Sequence, residues 1–222
     1  MKYFWFSVPL LLIISCAHAD DAQPPQWQFY PSVGLGWHKL EFKRPGGTLS
    51  ADYKTLNLGL TATHGDYFVS VDGEWFGKSN FQNGVEFTSV EREDQTLTIG
   101  KIIDQYSVFV GYTDAETKDD FLGEFHFDRG YFIGAGYDFP FGVNVLGISI
   151  AYADLDGKIY EDEVGLIETG DTQGLSYRIG YSGPFRKNMG YKVFARYRSY
   201  EFDGGDVVTD KDILSVGASI SF

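Results

Sequence analysis

Apolar and polar residues alternate along most of this chain with a period of two, a pattern that indicates β-strands rather than helices. The last segment shows it most clearly, because Ile220 and Ala218 share the face of the terminal Phe222, whereas serines and a glycine occupy the other face. Such a strand suits a wall with hydrocarbon on one side and water or packed polar groups on the other. The last strand of a soluble sandwich is the alternative explanation for this segment alone.

Ten segments follow this alternation and predict an all-β chain. They lie at residues 27–43, 51–63, 67–76, 88–102, 105–113, 123–139, 143–153, 172–182, 191–200 and 214–222. Because the fourth and fifth segments follow the pattern weakly, eight and twelve strands are the alternative counts. The connections expected after the even-numbered segments are short, whereas those after the odd-numbered segments are longer, polar and acidic. The longer connections lie near residues 44–50, 79–87, 114–122, 154–171 and 203–212.

This asymmetry between the two kinds of connection is typical of outer-membrane barrels, in which short turns face the periplasm and long loops face outward. An even strand count also returns both termini to the periplasm. The aromatic residues form two groups, one near the short turns and one further along the strands. At ~3.3 Å per residue and a tilt of about 40°, the groups lie roughly 15–25 Å apart, close to the height of an apolar band between two aromatic girdles.

These features resemble the small outer-membrane β-barrel superfamily of Gram-negative bacteria, described as the outer membrane protein beta-barrel domain. The order of Ser215, Gly217, Ile220 and Phe222 also resembles the terminal signal by which such barrels are recognised for insertion. The resemblance implies a ten-stranded antiparallel up-and-down transmembrane β-barrel in the outer membrane. It implies outer-membrane lipids, lipopolysaccharide and, during biogenesis, the barrel-insertion machinery as partners. It implies no particular activity.

The N-terminal residues predict export. Lys2 is the only charged residue among the first 19, an apolar run follows at residues 3–14, and Ala17-His18-Ala19 supplies a small-x-small cleavage site. We therefore expect a signal peptide at residues 1–19 and a barrel domain at residues 20–222. Two alternatives stay open: an uncleaved N-terminal anchor, and a lipoprotein in which Cys16 becomes the acylated first residue.

The composition of the chain limits its partners. The 222 residues carry a formal net charge of −13, which becomes −14 once Lys2 leaves with the signal peptide. An acidic chain of this kind argues against nucleic-acid binding over a broad surface. The one cysteine also leaves, so the mature chain is expected to have no disulfide and no thiol chemistry. A monomer is expected.

Because successive residues of a strand point to opposite faces, the alternation predicts which charged and titratable residues face the lumen. They are His38, Asp72, Glu74, Glu124, His126, Asp128, Arg178, Arg196 and Arg198. Because ten strands enclose a narrow interior, these residues are expected to form a network of ion pairs that largely closes the bore. The alternative is a narrow porin-like channel for small polar solutes, in which the three arginines face Asp72 and Glu74 across the lumen.

Two groups of residues could carry other chemistry. Glu124, His126 and Asp128 share a face at period two and could perform acid–base catalysis at the outer rim. However, the chain lacks the second aspartate pair of ten-stranded outer-membrane proteases and the His-x-Ser motif of barrel lipid A deacylases. Asp154 and Asp156 precede a glycine, but the spacing does not fit a twelve-residue calcium loop. No cofactor and no metal are therefore expected.

The sequence thus predicts a non-enzymatic integral outer-membrane protein with a polar, largely plugged lumen. Its acidic extracellular loops would serve surface interaction or membrane integrity. The narrow channel is the first alternative, and a rim-located outer-membrane hydrolase is the second.

Overall fold

The computed structural model describes residues 26–44, 47–76, 79–83, 86–119, 124–161, 165–186, 188–204 and 208–222. The predicted signal peptide and Cys16 lie outside the described residues. No helix within the described ranges is long and apolar enough to cross a membrane.

Strands make up nearly all of the described chain. They are β1 (Gln28–Arg44), β2 (Gly47–His64), β3 (Tyr67–Phe76), β4 (Ser79–Asn83), β5 (Glu86–Ile103), β6 (Tyr106–Asp119), β7 (Glu124–Phe141), β8 (Asn144–Glu161), β9 (Gly165–Arg186), β10 (Met189–Asp203) and β11 (Val208–Ser221). The strands β3 and β4 follow one another between the same neighbours, β2 and β5. They therefore count as one strand of the wall, and the wall has ten.

The sheet closes on itself, because β1 pairs with β2 on one side and with β11 on the other. Every pairing is antiparallel and joins strands that are consecutive in the chain, apart from the closing pair. The prediction of a ten-stranded antiparallel up-and-down barrel is confirmed. The alternative counts of eight and twelve strands are excluded.

The register of the strands fixes the width of the bore. Following paired residues once around the wall from Leu40 leads back to β1 at Gln28, which is twelve residues away. The intervening partners are Ile213, Arg198, Ser176, Ala151, Gly134, Phe109, Gly100, Phe68 and Thr63. A stagger of this size tilts the strands by about 35–45° and leaves a bore that side chains can cross.

The polarity of the wall inverts along each strand. On β1 the outward apolar series ends at Trp37, and the next outward residues are Lys39 and Glu41. The inward residues change in the opposite sense, from serine, glycine and histidine to Leu40 and Phe42. We call the half that contains Gln28 and Phe222 the terminal half and the other the distal half. The terminal half is apolar outside, whereas the distal half is apolar inside.

The terminal half therefore carries an apolar belt on its outer surface. Leu35 is 69% exposed, and large apolar residues from all around the wall are exposed with it. They include Val33, Leu56, Leu97, Ile99, Val110, Ile133, Ile150, Ile179, Val193 and Val216. Aromatic residues border the belt on both sides, with Trp27 and Tyr106 at the terminal edge and Tyr112 and Tyr152 at the distal edge. This is the surface that a bilayer covers in transmembrane barrels.

The distal half corrects the prediction of long acidic loops. Residues 154–161 continue β8 and residues 165–171 begin β9, and the two stretches pair with each other. Asp154, Asp156 and Asp171 thus lie on exposed faces of paired strands rather than in loops. The prediction was wrong because the inward side chains become apolar there, as at Leu155 and Ile159, and the familiar outward-apolar pattern disappears.

The apolar belt leads to a first prediction. The folded mature chain is expected to stay monodisperse only in detergent or lipid, because removal of both exposes the belt to water. Size-exclusion chromatography with light scattering, before and after detergent removal, measures this. A monodisperse sample in detergent-free buffer would show that the belt does not contact hydrocarbon.

Candidate functional site

The candidate site is the charged interior of the barrel. Arg196 and Arg198 lie two residues apart on β10 and therefore share its inward face. Glu74 on β3 and Asp94 on β5 face them from the other side, since β5 lies five strands away from β10 around the ten-stranded wall. Long side chains from opposite walls thus meet in the middle of the bore.

These residues form a continuous set of ion pairs, which we call the transverse network: Glu74, Arg92, Asp94, Arg196 and Arg198. Arg196 Nη2 donates to both carboxylate oxygens of Glu74, at 2.6 and 2.7 Å. Arg198 Nη1 donates to Asp94 Oδ2 at 2.8 Å, and its Nη2 lies 3.6 Å from Glu74 Oε2. The network thereby spans the lumen from wall to wall.

Arg92 extends the network on the other side of Asp94. Arg92 Nη2 lies 2.7 Å from Asp94 Oδ1, although the angle does not meet hydrogen-bond geometry, and Arg92 Nη1 donates to Thr117 Oγ1 at 2.6 Å. Both side chains of this pair are almost fully buried. A buried ion pair of this kind resists the removal of either partner, because the other charge is then left in a place of low polarity.

His38 packs beside the network and is fully buried. Its Nδ1 lies 2.9 Å from Ser215 Oγ, its Nε2 lies 3.3 Å from Thr55 Oγ1, and its ring stacks on Tyr53. Ser215, which belongs to the predicted insertion signal, therefore also has a contact inside the folded barrel. In the same segment Gly217 lies beside the Phe194 ring, and Ile220 and Phe222 are exposed on the belt. Recognition of this segment by the insertion machinery stays a prediction.

The structure does not assemble an acid–base site from Glu124, His126 and Asp128. His126 is 8% exposed and its ring packs against Phe42. Asp128 contacts the ammonium of Lys211 and accepts a hydrogen bond from Thr172 Oγ1 at 3.1 Å. The side chain of Glu124 lies outside the described part. His126 and Asp128 lie two and four residues from the distal end of β7, near the rim as expected, but their side chains are buried inside the wall.

Apolar side chains pack in the distal lumen beside the Asp128–Lys211 pair. A core of buried residues packs together there: Leu40, Phe42, Ala51, Tyr53, Val90 and Ile213. Ala153, Leu155, Ile159 and Phe202 are buried in the same half. The bore is therefore closed twice, once by the transverse network and once by this distal core.

On the terminal side of the network the lumen contains a cavity of about 260 Å³. Asp72 on β3 and Arg178 on β9 both line it, from strands that lie five apart around the wall. The three arginines predicted as one patch all line this cavity, and Arg178 lies directly across from Arg196 on the neighbouring strand, but their partners differ. Arg196 and Arg198 hold carboxylates, whereas the Arg178 guanidinium lies 4.7 Å over the Phe194 ring.

The outer wall of the distal half is charged, with the two signs close together. Lys39 contacts Glu41 at 2.6 Å, Lys43 contacts Asp212 at 2.5 Å, and Arg129 donates to Asp114 at 2.7 Å. The hydrogen bond to Asp212 raises the pKa of the Lys43 ammonium above its ordinary value. Exposed pairs of this kind add little to stability, because solvent screens them.

Sequence reasoning missed three residues of the lumen. Arg92 and Asp94 lie in the weak fourth segment, and Lys211 lies in a stretch that was expected to be a loop. The alternation of apolar and polar residues, followed through the fourth segment and continued a few residues before the last one, would have placed all three on the inward face. Their choice of partner could not be obtained in this way, because it depends on the register of distant strands.

Comparison with known proteins shows likeness of fold only. No protein-family model and no curated protein matches the sequence. The outer membrane protease OmpT from Escherichia coli is 11% identical, with a TM-score of 0.46, and the alignment covers 87% of this chain and 96% of that one. Neisserial surface protein A is 15% identical, with a TM-score of 0.42 and coverage of 89% and 99%.

The translocator domain of the autotransporter NalP from Neisseria meningitidis is 10% identical, with a TM-score of 0.44 and coverage of 85% and 87%. These proteins differ from one another in what they do, and no activity is transferred from them. The closed wall, the even strand count and the apolar belt are properties of the chain itself. By this architecture the chain has the fold of a transmembrane β-barrel.

Proposed function

We propose that this chain is a non-conducting, non-enzymatic barrel whose distal half stands outside the outer membrane and contacts the cell-surface layer. The observation that carries the proposal is the double closure of the bore. The transverse network crosses the lumen, and the distal core fills the space beyond it. To cross such an interior, an ion would have to break the paired network and pass the packed distal core.

The polarity of the distal wall supports its position outside the membrane. Outward residues such as Lys39, Glu41 and Asp52 would be costly in hydrocarbon, whereas they are well solvated in water. In this orientation both chain termini face the periplasm. The long paired strands then project through the layer of lipopolysaccharide headgroups at the cell surface.

Contact with lipopolysaccharide is the expected role of the boundary between belt and distal wall. Lys54 is exposed there and pairs across strands with Trp37, the last apolar residue of the outward series on β1. An ammonium next to an interfacial tryptophan suits a phosphate above acyl chains. The surrounding carboxylates could share divalent cations with further phosphates. Such contacts would serve membrane integrity.

The second prediction tests closure. Purified protein reconstituted into planar bilayers is expected to give no stepwise current, because the network and the distal core block the bore. A porin inserted into the same bilayer is the positive control, and reduced gel mobility after boiling, relative to an unheated sample, confirms that the protein under study is folded. Regular unit steps from the folded protein would overturn the proposal and favour the narrow channel.

A further inference from the structure

The cavity on the terminal side of the transverse network has the properties of a ligand site. Its volume is about 260 Å³, and small residues on several strands create it, among them Ser32, Gly34, Gly136, Gly147 and Ser149. Interiors normally pack without voids of this size, so the run of small inward residues leaves space that other side chains do not fill. Pockets for drug-sized ligands begin near 300 Å³, so this cavity suits a smaller molecule.

Two cations that face this cavity form no close ion pair. Among the described residues, neither Arg178 nor Lys192 has an acidic group within ion-pair distance, and Arg178 Nε is buried without a hydrogen-bond partner. The buried cations Arg92, Arg198 and Lys211 elsewhere in the lumen all contact a carboxylate. A buried charge without a partner is costly unless an anion compensates it.

The other lining residues indicate which further properties a ligand of this cavity needs. Phe68, Phe109 and Phe194 present apolar surface to the cavity, so the anion needs an apolar body. Asp72 and Asp138 also line it and offset part of the positive charge of Arg178 and Lys192. These two carboxylates repel a dianion such as phosphate more strongly than a single negative charge placed at Arg178.

We propose that this cavity binds a small monocarboxylate with a compact apolar body. The carboxylate contacts Arg178 and Lys192, and the apolar body packs against Phe68 and Phe109. The planar guanidinium offers two parallel donors to a carboxylate, and its position over Phe194 holds the plane in place.

The ligand enters from the terminal end. The transverse network closes the cavity on its distal side, whereas the lining reaches Val145 and Ser182, close to the short turn that precedes β8. A molecule that enters there meets the network and goes no further, so the site retains its ligand rather than passing it through the wall. This proposal therefore stands or falls separately from the contacts of the distal half.

Isothermal titration calorimetry on the detergent-solubilised protein tests the site, with benzoate as the probe. Benzylamine and inorganic phosphate serve as comparison probes of opposite charge and of higher charge. Benzoate is expected to bind, and Arg178→Gln is expected to weaken it by about tenfold or more, the effect of losing one charge-assisted contact. Arg129→Gln removes an exposed arginine on the outer wall and is expected to leave the affinity unchanged.

The unheated gel mobility of each variant shows whether it is folded. If Arg178→Gln does not fold, Lys192→Gln replaces it with the same expectation. Each of three results would overturn the proposal. Benzoate does not bind at millimolar concentration, or it binds Arg178→Gln (or Lys192→Gln in its place) as tightly as Arg129→Gln. The third is that benzylamine or phosphate binds as tightly as benzoate.

Discussion

Replacing Glu74 with alanine is expected to lower the free energy of unfolding by about 3–5 kcal/mol, the usual cost of removing one partner of a buried ion pair. Glu74 accepts two hydrogen bonds from Arg196 and lies within ion-pair distance of Arg198. Without it Arg196 loses its only carboxylate among the described residues, and Arg198 keeps Asp94 alone. Two guanidinium groups then lie close together with less negative charge to offset them.

The measurement is the urea midpoint of the protein in lipid vesicles, followed by far-UV circular dichroism. Glu93→Ala is the matched control, because Glu93 lies on the neighbouring strand β5 but points outward and is exposed. It is expected to change stability by about 0.5 kcal/mol or less. The double variant Glu74→Leu/Arg196→Leu removes both charges and is expected to recover part of the loss. Equal midpoints for Glu74→Ala and Glu93→Ala would contradict a stabilising role of the network.

The face of the sheet on which each residue lies is what the sequence predicts best in this protein. A period of two assigns each residue to one face as soon as a strand is recognised, so the inward positions of Glu74, Arg178 and Arg196 follow from local pattern alone. The closed ten-stranded barrel follows in turn, because ten such segments with one apolar face have no stable open arrangement in a membrane.

The strands of the distal half were harder to recognise because apolar and polar residues exchange faces there. From Lys39 onward β1 places charges outward and apolar residues inward, which is the pattern of a water-soluble wall. The alternation itself continues without interruption. On β8, outward apolar residues end at Tyr152, whereas alternation of either sign extends the strand from its predicted end at residue 153 to Glu161.

The local sequence pattern does not predict which charged side chains form ion pairs in the lumen. Arg196 and Glu74 are 122 residues apart in the chain, and Arg198 and Asp94 are 104 apart. Which carboxylate an arginine meets depends on the stagger accumulated around the whole wall, and a register shift of two residues would exchange the partners.

Replacing Leu40 with alanine is expected to cost about 2–5 kcal/mol, the range for a large apolar side chain removed from a packed core. Leu40 is 0% exposed and packs with Tyr53, Val90 and Ile213 in the distal core. Because the surrounding wall is a closed hydrogen-bonded sheet, it has little freedom to collapse into the space left behind. The loss therefore includes a cavity contribution in addition to the lost transfer free energy.

Leu35→Ala is the control that isolates this contribution, because the same side chain is shortened on the same strand. Leu35 is 69% exposed on the belt, where an acyl chain fills the vacated space and no cavity forms. Its urea midpoint in lipid vesicles is expected to fall clearly less than that of Leu40→Ala. If the two variants lose equal stability, the distal lumen is not a packed core. The conclusion that this core closes the bore would then be wrong.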